Sequence, residues 1–180
     1  MKWKMGAVLF AISAALVLML YKAFGTDPHA VPFMMEGKPA PTFRLKRLGS
    51  QETLSLAQLK GRPFVLNFWA TWCGPCEEEQ PILDWGAQTF KDRVEFFGVL
   101  FEDTEENTKG WFTTPPVYAQ LIDPKSQVAV DYGVAGVPET YFVDAEGNIR
   151  NKFVGPIDQQ TLASRINALT RPAATAEARP

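Results

Sequence analysis

Residues 69–76 read Trp-Ala-Thr-Trp-Cys-Gly-Pro-Cys and hold both cysteines of the 180-residue chain. An apolar-rich run, Phe64-Val-Leu-Asn-Phe-Trp69, leads into the pair, and a helix-compatible segment, Glu77 to Phe90, leaves it. The order is strand, turn, then CxxC at a helix start. The first N–H groups of a helix lack partners within it, and its dipole is positive there. A sulfur in that place is stabilised as the thiolate, its reactive form. Two intervening residues let the second sulfur reach the first and close a small, breakable disulfide. A permanent staple between such near neighbours would close too short a loop to stabilise much. Zinc usually takes four Cys or His ligands, and the chain offers two Cys and one His, with His29 far upstream. The pattern therefore points to thiol–disulfide redox chemistry with no metal and no cofactor.

The length suits one domain plus a targeting segment. Hydrophobic content of 46% supports a real core, and a net charge of −2 without a basic stripe gives no reason to expect nucleic acid. Met5 to Tyr21 is uncharged, with Lys2 and Lys4 before it and Lys22 after it. As a helix it spans roughly 25 Å, slightly less than the ~30 Å hydrocarbon core, and lysines at both ends can snorkel to the interfaces. The leading positive charges favour an N-inside orientation. Residues 1–25 are thus expected to be a retained single-pass transmembrane anchor. A cleaved signal peptide is the alternative, since Ala23-Phe24-Gly25 offers a small-x-small site. Either way the globular part lies outside the cytoplasm, where disulfides persist.

Residues 26–36 read as a linker broken by Asp27-Pro28 and Val31-Pro32. Thr42 to Leu48 and Glu52 to Leu56 alternate around Gly49-Ser50 as a β-hairpin. Phe64 to Trp69 suits a strand buried on both faces, and Pro81 should kink the helix that follows the cysteines. Glu95 to Phe101 is a second buried strand that completes a right-handed βαβ unit. A short strand over Ala119 to Ile122 and a short helix over Lys125 to Tyr132 come next. Thr140 to Asp144 and Ile149 to Val154 form a hairpin, and Asp158 to Leu169 is an amphipathic helix with Leu162, Ile166 and Leu169 on one face. The tail, 171–180, is rich in Ala, Pro and charge and reads as disordered. The fold class is α/β, a mixed central sheet flanked by helices.

Phe68 to Cys76 with Pro81-Ile-Leu-Asp84 resembles thioredoxin. The wider pattern is closer to the membrane-anchored, extracytoplasmic thioredoxin-like reductases of the TlpA/ResA and CcmG/DsbE group. Gly37-Lys-Pro-Ala-Pro-Thr-Phe-Arg-Leu45 is similar to the entry of that group's N-terminal hairpin. Glu79 stands where its members place an active-site glutamate. Tyr132-Gly-Val-Ala-Gly-Val-Pro-Glu-Thr-Tyr-Phe-Val-Asp144 resembles the cis-proline loop, and its Pro-Glu pair is most like the cytochrome c maturation members. The resemblance implies a thioredoxin-like domain over 37–170 with an N-terminal hairpin extension. It implies a cis Val137–Pro138 bond beside the sulfurs, with backbone before Pro138 pairing with an extended substrate chain as in strand addition. Cys73, Cys76, Glu79 and Pro138 are then the catalytic residues. Trp72, Val137, Pro138 and Glu139 form the substrate face, with Glu139 at the edge of the groove.

Two departures matter. Thioredoxin has a buried aspartate where this chain has Asn67, so proton transfer falls to Glu79 or to water. Gly74-Pro75 and Ala135 differ from many cytochrome maturation members and leave the partner open. Trp111 and Phe112 are equally consistent with a partner patch and with core. By resemblance the chain is a reductant of protein disulfides in the periplasm or outside a bacterial cell, tied to the inner membrane. Its expected partners are apocytochrome c or haem-handling proteins as substrates, and a membrane thiol-transfer protein as electron donor. A general TlpA-type reductase and a redox-inert haem-delivery or binding scaffold are the alternatives. A peroxidase is disfavoured, because peroxiredoxins carry Pro and Thr/Ser where this chain has Leu66 and Ala70.

Overall fold

The computed structural model describes residues 2–24 and 34–171, without the side chains of residues 2, 7–9 and 20–24. Most of the expected linker and nearly all of the tail, residues 26–33 and 172–180, lie outside the described residues. The chain divides into two compact units, Met1–Met34 and Met35–Pro180.

The first unit carries one helix, α1 (Lys2–Phe24). Its described apolar side chains, among them Trp3, Phe10, Ile12 and Leu16 to Met19, are exposed. Among the described residues no helix is long and apolar enough to cross a membrane.

The second unit is built on a sheet of seven strands. In chain order these are β1 (Arg44–Arg47), β2 (Thr53–Ser55), β3 (Phe64–Trp69), β4 (Glu95–Leu100), β5 (Ala119–Ile122), β6 (Glu139–Val143) and β7 (Ile149–Val154). The helices are α2 (Gly74–Thr89), α3 (Gln127–Tyr132) and α4 (Gln159–Leu169). The spatial order is β2-β1-β5-β4-β3-β6-β7, with β3, β4 and β5 parallel and the outer pairings antiparallel. The N-terminal hairpin therefore extends the sheet edge itself, since Lys46 and Arg47 of β1 pair with Ile122 and Leu121 of β5.

Every residue of β3 is buried, which explains its nearly continuous apolar run. Alternation sends Val65, Asn67 and Trp69 to one face and Phe64, Leu66 and Phe68 to the other. On the first face Val65 joins Leu83 of α2 and Leu162 and Ile166 of α4 in one core cluster. On the second, Phe68 meets Tyr132 of α3 and Tyr141 of β6, with ring centroids 5.6 and 5.5 Å away. Helix α2 continues through Pro81 as one element.

Two glycines stand at close approaches, where a Cβ would force a neighbouring side chain to shift. A Cβ on Gly86 would lie 2.7 Å from Leu162 Cδ2, so a bare backbone lets α4 pack on α2. At Gly98 a Cβ would lie 1.9 Å from Gln120 Oε1, in space that the glutamine side chain already fills.

Candidate active site

Strand β3 ends at Trp69, the chain turns through Ala70 to Cys73, and α2 begins at Gly74. Cys73 is the N-cap of α2, and its Sγ accepts a hydrogen bond from the Cys76 amide at 3.2 Å. Pro75 stands in the first turn, where its missing N–H costs nothing because that group has no helical partner in any case. Cys73 and Cys76 form a disulfide.

A place at the helix start suggests an exposed Cys73, with Cys76 a turn further in. Both sulfur-bearing residues are buried, Cys73 at 5% exposure and Cys76 at 2%. The cause is an apolar collar. Trp69, Ala70 and Leu100 pack around the pair, with Trp111, Phe112 and Val137 against them. Trp111 and Phe112, ambiguous from sequence, stack on Trp69 at 4.4 and 5.2 Å between ring centroids. Trp72 alone of the flanking aromatics stands out, at 59% exposure.

Helix α2 also carries a buried acid. Glu79 sits three residues after Cys76 on α2, a spacing that puts both on the same helix face. It is 1% exposed. Its Oε1 accepts from Asn67 Nδ2 at 2.8 Å, and its Oε2 accepts from the Ile157 amide at 3.0 Å. Asn67 also donates to Thr140 Oγ1 at 3.1 Å. Asn67, in place of an acid, thus orients Glu79. Burial raises the Glu79 carboxyl to about 7, against the opposing pull of the Ile157 and Asn67 donors.

The Val137–Pro138 bond is cis, as the resemblance implies. Glu139 pairs with Phe68 in the sheet, so Pro138 falls beside the end of β3 that carries the sulfurs. Val137 packs against the disulfide cluster. The Pro138 carbonyl is taken by the Gly155 amide at 2.9 Å.

Glu139 does not line the groove edge. It is 1% exposed and lies beneath the loop, because its charge is neutralised from inside the sheet. Lys152 Nζ is 2.7 Å from its Oε2, the Tyr141 hydroxyl is 3.0 Å from the same oxygen, and the Ala135 amide donates to Oε1 at 3.2 Å. Burial, with the neighbouring Glu139 charge, holds the Tyr141 hydroxyl well above the usual phenol range. Lys152, Tyr141, Thr71 and Asp103 are parts of the site region that the sequence reading missed. The only cue to Lys152 is a cationic residue in a strand that faces Glu139 across a hairpin.

Among the described residues no group of three or more His, Cys, Asp or Glu is placed to hold a metal ion. A Cys73–Cys76 pair at a helix N-terminus, next to an apolar collar and a buried acid, has the arrangement that, once reduced to the dithiol, can exchange with a second disulfide by thiolate attack.

The comparisons agree with that chemistry. Residues 37–152 match the AhpC/TSA family. The chain is 34% identical over 174 residues to the thiol:disulfide interchange protein DsbE of Pseudomonas fluorescens biotype C, covering 93% of this chain and 96% of that protein. It is 38% identical over 146 residues to the thiol:disulfide interchange protein HelX of Rhodobacter capsulatus, covering 79% and 81%. Among solved structures, one assigned as a thiol:disulfide interchange protein DsbE from Chlorobium tepidum has a TM-score of 0.70 at 28% identity, covering 76% of this chain and 98% of that one. The chain belongs to the AhpC/TSA family and, within it, to the thioredoxin-like thiol–disulfide oxidoreductases of the CcmG/DsbE group.

Proposed function

We propose that this oxidoreductase works as an extracytoplasmic reductant of protein disulfides, with Cys73 and Cys76 as its redox pair, in the maturation of c-type cytochromes. The observation that carries the reading is the Cys73–Cys76 disulfide at the head of α2, with Glu79 one turn further along and Val137–Pro138 alongside.

In the reduced protein the Cys73 thiolate attacks one sulfur of the substrate disulfide. A mixed disulfide forms and the second substrate sulfur leaves as a thiolate. Cys76 gives up its proton, attacks Cys73 and releases the substrate as a dithiol, while the Cys73–Cys76 bond re-forms. Glu79, poised near neutrality on the same helix face as Cys76, is the group that takes that proton. Among the described residues no hydrogen bond occupies the Val137 N–H or C=O, so both are open to an extended substrate backbone. Trp72 gives a flat apolar surface beside it. Glu139 acts from below, tying down Ala135 of the same loop rather than touching substrate.

Electrons return to the pair from a membrane thiol-transfer protein. Helix α1, with its exposed apolar side chains and leading lysines, is the anchor in this reading, with the N-terminus inside and the domain in the periplasm. The similarity to proteins named DsbE and HelX supports substrates such as apocytochrome c or its haem-handling partners, because haem attachment needs reduced cysteines. Gly74-Pro75 and Ala135, which are less typical of that group, favour a general TlpA-type reductase as the second reading. Leu66 and Ala70 stand where a peroxidatic site carries Pro and Thr/Ser, so membership of the AhpC/TSA family reflects the shared scaffold.

Redox titration against glutathione tests the direction. The pair should equilibrate well below the ~−120 mV of a strong disulfide-forming oxidase, and a value near that figure would reverse the assignment.

Glu79 carries a pH signature. Its folded pKa of about 7 lies above the ordinary value of 4.5, so folding favours the protonated acid. The stability that Glu79 contributes is complete below pH 4.5 and is lost as pH rises through 7. One pKa unit is worth about 1.4 kcal/mol, so the loss is on the order of 3 kcal/mol. In Glu79→Gln that decline between pH 5 and pH 8 should disappear from urea unfolding curves. The variant should also slow substrate reduction above pH 7. Parallel pH–stability curves for both proteins would remove Glu79 from the mechanism.

A further inference from the structure

We propose that Asp103 is a positioning residue of the redox centre, fixing the Thr71–Trp72 turn that delivers Cys73 to the head of α2. The proposal rests on the reading of Cys73 as the attacking sulfur.

Strand β4 ends at Leu100, and the next three residues fold back onto the end of β3. The Phe101 amide donates to Trp69 O at 2.8 Å. Trp72 Nε1 reaches Glu102 O at 3.4 Å. Asp103 Oδ2 accepts both the amide and the hydroxyl of Thr71, at 2.7 and 2.6 Å. Three consecutive residues thus grip the segment that leads into Cys73 from a position some thirty residues further along the chain.

The grip is itself held. Asp103 Oδ1 accepts from the Thr104 amide and from Asn107 Nδ2, both at 2.7 Å, so one carboxylate collects four donors. Glu102 adopts φ 45°, a left-handed conformation that costs a residue with a side chain free energy. Its amide is pinned by Ser126 Oγ at 2.9 Å, and Ser126, buried and also left-handed at φ 51°, is the N-cap of α3. Unfavourable backbone persists where its surroundings over-determine it, and such places cluster at functional sites. Here the surroundings on one side are the sulfur-bearing turn. On the other side is the helix that leads to the Val137–Pro138 loop. Although burial pushes the Asp103 acid up, the donors from Thr71, Asn107 and Thr104 outweigh it and hold it below the usual range, so it stays an acceptor at working pH.

The clamp aligns Cys73 with the open amides of α2, and small misplacements of a reacting atom cost large factors in rate. Asp103→Ala leaves both Thr71 donors unanswered. Asp103→Asn keeps one oxygen for Thr71 and removes the charge, so it separates geometry from electrostatics. Thr71→Val removes one clamp bond with no change of charge, and Glu106→Gln, on an exposed acid paired with Lys109, is the control.

The experiment uses the full chain and reads two quantities for each folded variant: turnover of a disulfide substrate, and the pH profile of Cys73 alkylation. Asp103→Ala should lose roughly tenfold in turnover with its alkylation profile displaced to higher pH. Asp103→Asn should recover most of the loss, Thr71→Val should fall between, and Glu106→Gln should match wild type. If Asp103→Ala does not fold, Thr71→Val carries the same test with a displaced profile expected. Wild-type rate and profile in the folded clamp variants, whatever their melting temperatures, would overturn the proposal alone. A wild-type protein without turnover, or one alkylated first at Cys76, would overturn the reading on which it rests.

Discussion

Lys152→Met should lower the unfolding free energy at pH 7 by about 3 to 5 kcal/mol, the cost of leaving a buried charge without its partner. The partner is Glu139, 1% exposed, with its Oε2 2.7 Å from Lys152 Nζ. Methionine keeps a stem of similar length but also gives up the Nζ contacts with the Tyr141 ring, 5.5 Å from its centroid, and with Gly133 O at 3.4 Å, which add to the effect. Glu139 would then draw in water, and its hold on the Ala135 amide would weaken. Because Ala135 belongs to the loop that ends at Pro138, substrate reduction should weaken along with stability. The double variant Lys152→Met/Glu139→Gln should recover more than half of the lost stability, since no charge is then left buried alone. Urea unfolding of the three proteins measures all of this. A loss below about 1 kcal/mol for Lys152→Met would mean that the pair behaves like a surface ion pair.

Cys73→Ser should show the largest functional loss, with disulfide reduction falling to the uncatalysed rate while the fold survives. Serine matches cysteine closely in size, and its hydroxyl can still accept from the Cys76 amide as an N-cap. Cys76→Ser should behave differently, because its attacking sulfur is intact. It should consume one equivalent of substrate in a single burst and then stop at the mixed disulfide. Equal, partial activity in the two variants would contradict the division of labour between attacking and resolving sulfur.

Much of this architecture is readable from short-range pattern. The uniform burial of Phe64 to Trp69 follows from its apolar run. The helix begins at the CxxC because Cys73 caps it and Pro75 fits its first turn. Asp158 caps α4 through the Thr161 amide, which puts Leu162 and Ile166 on the core face. What the sequence hides is long-range. The N-terminal hairpin is visible as a hairpin, but its docking on β5 depends on pairing between segments far apart in the chain.

Glu139 illustrates the difficulty. Its place next to Pro138 suggests a groove rim, yet the register of β6 on β7 shifts between Phe142 and Val143. No local pattern shows that irregularity, and with it the approach of Lys152. Asp103 is hidden because its partner, Thr71, lies on another strand's exit. The burial of Cys73 depends on where the 101–118 segment runs, since Trp111 and Phe112 close the collar over Trp69.

The most direct test is to trap the intermediate. Reduced Cys76→Ser protein is mixed with an unstructured peptide that contains one CxxC disulfide, quenched with acid and mapped by mass spectrometry after proteolysis. The expected product is a single adduct joining Cys73 to a substrate cysteine, released by added thiol, with no adduct from Cys73→Ser treated in the same way. A Cys76→Ser protein that forms no adduct would contradict a reductase acting through this pair, as would a Cys73→Ser protein that traps substrate equally well through Cys76.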